Sequence, residues 1–306
     1  MIESSNIIFW FWAVMTIGVC TLQWPMLFIS SSSSMPAALQ NLIRYGKLGS
    51  HKDISNHGWC HVPKRYFTHY YIIATLWNGF LTAVLLHGYY FNKSTPFTWL
   101  GELFDFLTGP RDGARVDALS AGLGMTMLFV HVARRLYECL FVSVYSQSTM
   151  SWLTYIIGCA YYLGLAPALL SLAEGFPYVD TPIRLQFHWW QPVGIALFLW
   201  ANWHHHTAHV ILARLRKDSK GRVKTLIHCI PSGDWFDLVS CPHFLAEILI
   251  YLALAMTMGL RHYIWWMVVV FVVANQAAMG IATHRWYQAT YTSYPPNRKA
   301  IFPHVL

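Results

Sequence analysis

The sequence predicts an all-α, polytopic membrane protein of about seven transmembrane helices, and three observations predict it. Of 306 residues, 56% are apolar and 11% charged, whereas a soluble globular domain carries about 25% charged residues. So little charge cannot cover a water-facing surface of this size. The apolar residues gather into runs close to the ~20 residues that carry a helix across a bilayer. The 15 Trp and 17 Tyr suit the two membrane interfaces, where an apolar ring keeps a polar edge wet.

Taken in order, the first expected span is Ile7–Ile29. It has no basic segment before it and no small-residue cleavage site after it, so it reads as a retained helix and not a signal peptide. Ser30–Ser34 follows as a short linker. Tyr70–Phe91 is the second span. Leu119–Val142 is the third, with His131, Arg134, Arg135 and Glu138 on one face near its end. Trp152–Leu172 is the fourth, and Trp189–Leu212 the fifth, ending in His204-His205-His206-Thr207-Ala208-His209. The run Ile230-Pro-Ser-Gly-Asp-Trp-Phe-Asp237 marks a turn. Ser240 is the expected N-cap of the sixth span, Phe244–Leu260, with Pro242 in its first turn. Ile264–Ala282, the seventh, contains Asn275-Gln276. No repeat, heptad seam or second soluble domain interrupts this order, so residues 1–306 read as a single integral membrane domain.

Loop charge orients the helices. Arg44, Lys47, Lys52, Lys64 and Arg65 follow the first span, Arg214 to Lys224 the fifth, and Arg285, Arg298 and Lys299 the last. Arg134 and Arg135 close the third. With seven spans these clusters share one side, which the positive-inside rule makes cytosolic, with the N-terminus lumenal and the C-terminus cytosolic. The same clustering argues against nucleic acid as the reason for a net charge of +8. The sequon Asn92-Lys93-Ser94 falls on the lumenal side, close to the second span. The six cysteines are scattered without a CxxC pair, which argues against a disulfide framework or a zinc–thiolate site.

Four clusters could carry chemistry, one of them His131, Arg134, Arg135 and Glu138 on the third span, which could equally be an internal Arg–Glu pair snorkelling to the interface. His205 and His209 are four apart and share a helix face. They could be an interfacial cluster, part of a metal site, or a polar wall for a bound anion or nucleotide, with Arg214, Arg216 and Lys217 beyond. A lone HxxxH pair supplies too few ligands for a di-iron hydroxylase, and no metal is expected. His243 and Glu247 are again four apart, and an ionisable residue inside an apolar helix is a functional hypothesis by default. Asn275, His284 and Tyr287 lie in and after the last span, where buried amides also serve as glue between helices. No GxGxxG follows a strand and no Walker loop is present, so a nucleotide would bind among helices.

The segments His209 to Lys217, Ile230 to Asp237, Val239 to Ile248, Asn275-Gln276, His284-Arg-Trp-Tyr287 and Tyr294-Pro-Pro-Asn-Arg-Lys-Ala300 resemble, in order and spacing, the steroid 5-alpha-reductase family, and most closely its polyprenol reductase branch. Arg44-Tyr-Gly-Lys47, Val62 to Phe67, Leu76 to Phe80 and Arg134 to Cys139 add to the likeness to that branch. The resemblance implies a seven-helix endoplasmic reticulum enzyme that binds NADPH between its helices. It implies reduction of the alpha-isoprene double bond of a polyprenoid lipid on the route to dolichol, the carrier for protein N-glycosylation, with no obligate protein partner. The cofactor face it implies comprises Arg135, His205, His209, Arg216, His243, Glu247, Asn275, His284 and Tyr287. Residues 1–190 would then meet the lipid and residues 191–306 the NADPH. The Glu–Tyr pair that steroid enzymes use to hold a ketone has no match here, which argues against a 3-keto steroid.

Chemistry narrows the substrate further. Hydride adds to a carbon–carbon double bond only when an electron-withdrawing group is conjugated to it. An allylic alcohol lacks one and an unsaturated aldehyde has one, so polyprenal is the expected acceptor. The expected catalytic residues are His284, Tyr287 and His69, with His69, Tyr70 or Tyr287 as donor to the oxygen where charge develops. Steroid reduction, a di-iron hydroxylase and a transporter are the competing readings.

Overall fold

The computed structural model describes residues 6–27, 61–109, 116–179 and 182–305. Eight α-helices are formed among them: α1 (Ile7–Leu22), α2 (Phe67–Phe91), α3 (Thr98–Thr108), α4 (Ala118–Tyr137), α5 (Trp152–Leu170), α6 (Trp190–Arg214), α7 (Pro242–Thr257) and α8 (Tyr263–Thr290). Arg44, Lys47, Lys52, the Ser30–Ser34 linker and the Arg44-to-Lys47 motif lie outside the described residues.

Capping explains several starts. Asn6, Asp117 and Ser151 each accept a backbone N–H from three residues ahead, opening α1, α4 and α5. His262 does the same for α8 through Nδ1. Ser240 does not cap α7, contrary to expectation. Cys241 holds the cap position without a side-chain hydrogen bond, because the Ser240 hydroxyl is turned toward the C-terminal tail.

Among the described residues, three helices are long and apolar enough to cross a membrane: Lys64–Phe91, Trp152–Leu170 and Tyr263–Thr290. Exposed Leu76, Ile156, Leu199 and Val270 coat the outer faces of α2, α5, α6 and α8, a surface that acyl chains cover and water does not. The protein is a membrane protein. Two features depart from the sequence expectation. The short α3 is too brief for a span and carries Glu102 and Asp105, and it buries Leu100 and Phe104. A two-stranded antiparallel ribbon, β1 (His61–Pro63) with β2 (Thr149–Ser151), ties the entry of α2 to the entry of α5.

Cross-helix contacts fix the helix directions. Tyr71 meets Arg135, Thr82 meets Met125, and His69 meets Tyr155, so α2 runs against α4 and with α5. Ser120 meets Gln191 and Arg134 meets His205, so α6 runs with α4. Gly194 packs on Thr257 while Glu247 reaches back to His205, so α7 runs against α6. A Cβ on Gly194 would stand 2.3 Å from Thr257 Oγ1, so only glycine permits this approach. Phe9 meets Tyr263 and Gln23 meets Asn275, so α1 runs with α8. The ends of α4, α6 and α8 and the starts of α2, α5 and α7 therefore share one end of the bundle. Elsewhere the interior is mostly apolar, around Trp12, Leu81, Leu128, Leu254 and Trp265, with a few buried polar groups such as Asn78, Gln191 and His262.

The tail folds back onto that shared end. Val239 bridges to Lys299, the Ser240 and Cys241 amides donate to the Lys299 and Ala300 carbonyls, and fully buried Ile301 lies over Gly280 of α8. At the other end, Asn92 and Ser94 of the sequon accept the backbone N–H groups of Ile183 and Val179, both at 2.8 Å.

Candidate active site

The charged residues of α4, α6 and α7 meet inside the bundle at its shared end. After Tyr137, α4 widens into a π turn, Glu138–Val142, a distortion that recurs at functional sites. It points fully buried Glu138 inward. Arg134, Arg135 and His206 all bond this carboxylate, His206 Nδ1 at 2.8 Å. Arg135 also donates to Tyr71 Oη at 3.2 Å and lies over its ring.

Glu247 has a different setting. His205 Nε2 is 3.0 Å from its Oε2 and His131 Nε2 is 3.4 Å from its Oε1. Arg134 donates to His205 Nδ1 at 3.0 Å and to Asn202 Oδ1 at 3.0 Å. A guanidinium can only donate, so His205 Nδ1 accepts and its Nε2–H donates to Glu247. The His209 ring lies 4.7 Å from that of His205 and 5.5 Å from that of His243. The structure thus brings Arg135, His205, His209, His243 and Glu247 to the same end of the bundle.

The other expected site residues fall nearby or apart. His284 Nδ1 and Tyr294 Oη meet the Ser240 hydroxyl at 2.6 and 2.5 Å, and buried Tyr287 stacks on Tyr294 at 5.3 Å. Burial raises the Tyr294 pKa, so it stays a neutral phenol there. This second cluster adjoins the first through the start of α7. Arg216, its pKa lowered by burial, donates to the Val144 carbonyl at 2.6 Å. The His69 ring lies tilted against that of Tyr66, 4.4 Å away, and meets Tyr155 Oη at 3.1 Å. Asn275 is turned to α1, where its Oδ1 accepts from Gln23 at 3.2 Å.

Sequence reasoning missed Asn202, Tyr71 and the hydroxyl pair of Tyr161 and Tyr251, which meet at 2.6 Å. Two signals were present. Asn202 is a lone amide one turn before His205, and Tyr251 is one turn after Glu247. Nothing in the sequence pairs Tyr251 with Tyr161, 90 residues away. Among the described residues, Cys20, Cys139, Cys159, Cys229 and Cys241 are free.

The donor set distinguishes between bound groups. Glu138, His205 and His209 have ligand atoms within 4.8 Å of one another, a possible metal grouping. However, Glu138 already binds two guanidiniums and both His205 nitrogens are engaged. A cation there would have to face Arg134 and Arg135. A nucleotide fits better. The inner cluster balances two guanidiniums with two carboxylates, which suits a neutral carboxamide. Beyond α6, the segment 214–224 carries Arg214, Arg216, Lys217, Lys220, Arg222 and Lys224 with the single acid Asp218, an excess of cations that suits phosphates.

The comparisons with known proteins agree on the class. The family model described as 3-oxo-5-alpha-steroid 4-dehydrogenase matches residues 149–306. The chain belongs to the steroid 5-alpha-reductase family. Like other members, it is an oxidoreductase acting on CH–CH groups. Curated relatives named polyprenal reductase are similar over most of the chain. That of Xenopus laevis is 38% identical over 279 residues, covering 90% of this chain and 87% of the relative. That of Danio rerio is 39% identical over 272 residues, covering 87% of each. That of Homo sapiens is 38% identical over 274 residues, covering 87% of this chain and 86% of the relative. The family match covers α5 to α8 and the tail, and so takes in both clusters apart from the residues on α2 and α4.

Proposed function

We infer that this steroid 5-alpha-reductase family member reduces the alpha-isoprene double bond of polyprenal with NADPH, on the route to dolichol and so to protein N-glycosylation. The observation that carries the reading is Glu247, a buried carboxylate gripped by the imidazoles of His131 and His205 beside an unbalanced basic loop. The relatives' name, polyprenal reductase, agrees with the chemical preference for a conjugated aldehyde.

In this reading His205, His209, His243 and Glu247 hold the neutral nicotinamide end, and Arg216, Lys217 and Lys299 hold the phosphates. Bound NADPH would supply the hydride. The chain's own residues position and neutralise. Arg134 sets the His205 tautomer, Arg135 fixes Tyr71, and the Ser240–His284–Tyr294 cluster closes the start of α7. The polyprenyl tail lies along the membrane-facing surface of the N-terminal helices. Seven helices, α1, α2 and α4 to α8, cross the endoplasmic reticulum membrane, with the N-terminus lumenal and the basic end of the bundle cytosolic, where NADPH is found.

The test is turnover by purified protein of polyprenal, polyprenol and a 3-keto-4-ene steroid, with NADPH against NADH. Polyprenal with NADPH should be the preferred pair. Equal turnover of the alcohol, or reduction of the steroid alone, would overturn the assignment. His284→Ala should lose turnover while still inserting into membranes, and normal turnover would remove His284 from the site.

A further inference from the structure

The Tyr161–Tyr251 pair is a built polar site in an apolar wall. Tyr251 is 1% exposed and stacks on Trp265, with ring centroids 5.7 Å apart. Tyr161 packs edge-on against Trp12 at 5.5 Å and against Phe271 at 5.4 Å. Their hydroxyls meet at 2.6 Å. Two hydroxyls carry two protons and their mutual hydrogen bond uses one. Among the described residues neither hydroxyl has another hydrogen-bond partner, so one donor is left over in water-poor surroundings. A donor left unused in such a place costs stability, and a ligand oxygen would relieve that cost.

Its position is specific. Tyr251 lies one turn beyond Glu247 on α7, and the His131 ring that touches Glu247 is 6.3 Å from the Tyr251 ring. Two of the donors expected from the sequence are spent differently. Tyr70 Oη is engaged with Met150 Sδ and the Thr154 carbonyl, and His69 with Tyr155.

We propose that the paired hydroxyls of Tyr161 and Tyr251 form the subsite for the carbonyl oxygen of the aldehyde substrate, which rests on the polyprenal reading above. In the reduction, a hydride with its two electrons bonds to the β carbon. The double-bond pair shifts to join the α and carbonyl carbons, and the carbonyl pair moves onto oxygen. A proton from water then bonds to the α carbon, the oxygen pair re-forms the carbonyl, and the saturated aldehyde leaves. The free hydroxyl proton of the pair is aimed at the oxygen where that negative charge develops, and it acts in a dry site where such a bond is strongest.

The test uses Tyr161→Phe, Tyr251→Phe and the double variant, each keeping its ring and packing. Removing a donor of this kind lowers kcat about 100-fold or more. KM for polyprenal should stay within about threefold, and the double variant should lose little more than either single one, because the hydroxyls act as a unit. A second readout needs no cofactor: the infrared carbonyl band of carbon-13-labelled polyprenal bound to the protein. It should lie lower in the wild type than in apolar solvent and move back up in the variants. Should Tyr251→Phe fail to fold, Tyr161→Phe carries both readouts. Single variants with kcat within about twofold of wild type, or an unmoved carbonyl band, overturn the subsite while wild-type turnover of polyprenal stands. A wild type that does not reduce polyprenal overturns the functional reading, and the subsite with it.

Discussion

Two buried glutamates, one at the end of α4 and one on α7, show how differently the same side chain is held. Glu138 is gripped by two guanidiniums and an imidazole, each carboxylate oxygen bonded to an arginine. Glu247 is gripped by two imidazoles that touch it through Nε2. A pair of full charges in a dry interior is costly to separate, so the Glu138 region is a fixed post. Imidazole bonds are weaker and can be exchanged for a ligand's. In the proposed function the α4 end is the scaffold and the α6–α7 face the site.

The largest expected effect breaks the scaffold. Glu138→Ala leaves Arg134 and Arg135 buried without their carboxylate, which should cost about 3–5 kcal/mol. Thermal unfolding in detergent would read this as a large fall in Tm or loss of the folded fraction, and an unchanged Tm would dismiss the scaffold role. Glu247→Gln should separate the two regions. Tm should stay near wild type, while NADPH affinity falls roughly tenfold to a hundredfold, in keeping with a lost charged hydrogen bond of about 1.5–3 kcal/mol. Titration of NADPH binding would measure it, and full affinity would move the cofactor elsewhere. Ser240→Ala removes the hydroxyl shared by His284, Tyr294 and the Lys299 carbonyl, and should cost about 1–3 kcal/mol by leaving buried partners unsatisfied. Faster proteolysis of the tail would report it. The smallest effect tests the apolar seam: Gln23→Leu should cost about 0.6 kcal/mol and leave turnover unchanged. A loss of NADPH affinity in that variant would return Asn275 to the cofactor face.

Much of this contrast was legible in the sequence. The apolar runs gave the long helices, and helical spacing put His205 with His209 on one helix face and His243 with Glu247 on another. What one chain segment cannot reveal is which helix it faces. The Arg134–His205 and Tyr161–Tyr251 contacts span 71 and 90 residues, and their pairing follows from packing alone. Ser240 had the right residue type for a cap, but tertiary hydrogen bonds to the tail took its hydroxyl first. The α3 helix escaped notice because its 11 residues show a mixed pattern that no membrane-crossing length criterion selects.

The stitching of residues 298–301 to the start of α7 has a consequence for biosynthesis. Chains are made from the N-terminus onward, so residues 298–301 are synthesised after every described helix, the last of which ends at Thr290. Until then the Val239–Cys241 backbone lacks its partners and the cluster around His243 and Glu247 stands open. Closure of this end of the bundle therefore waits on residues made after all the described helices, and a chain stalled or cut before Arg298 would carry those eight helices without the backbone contacts that close it.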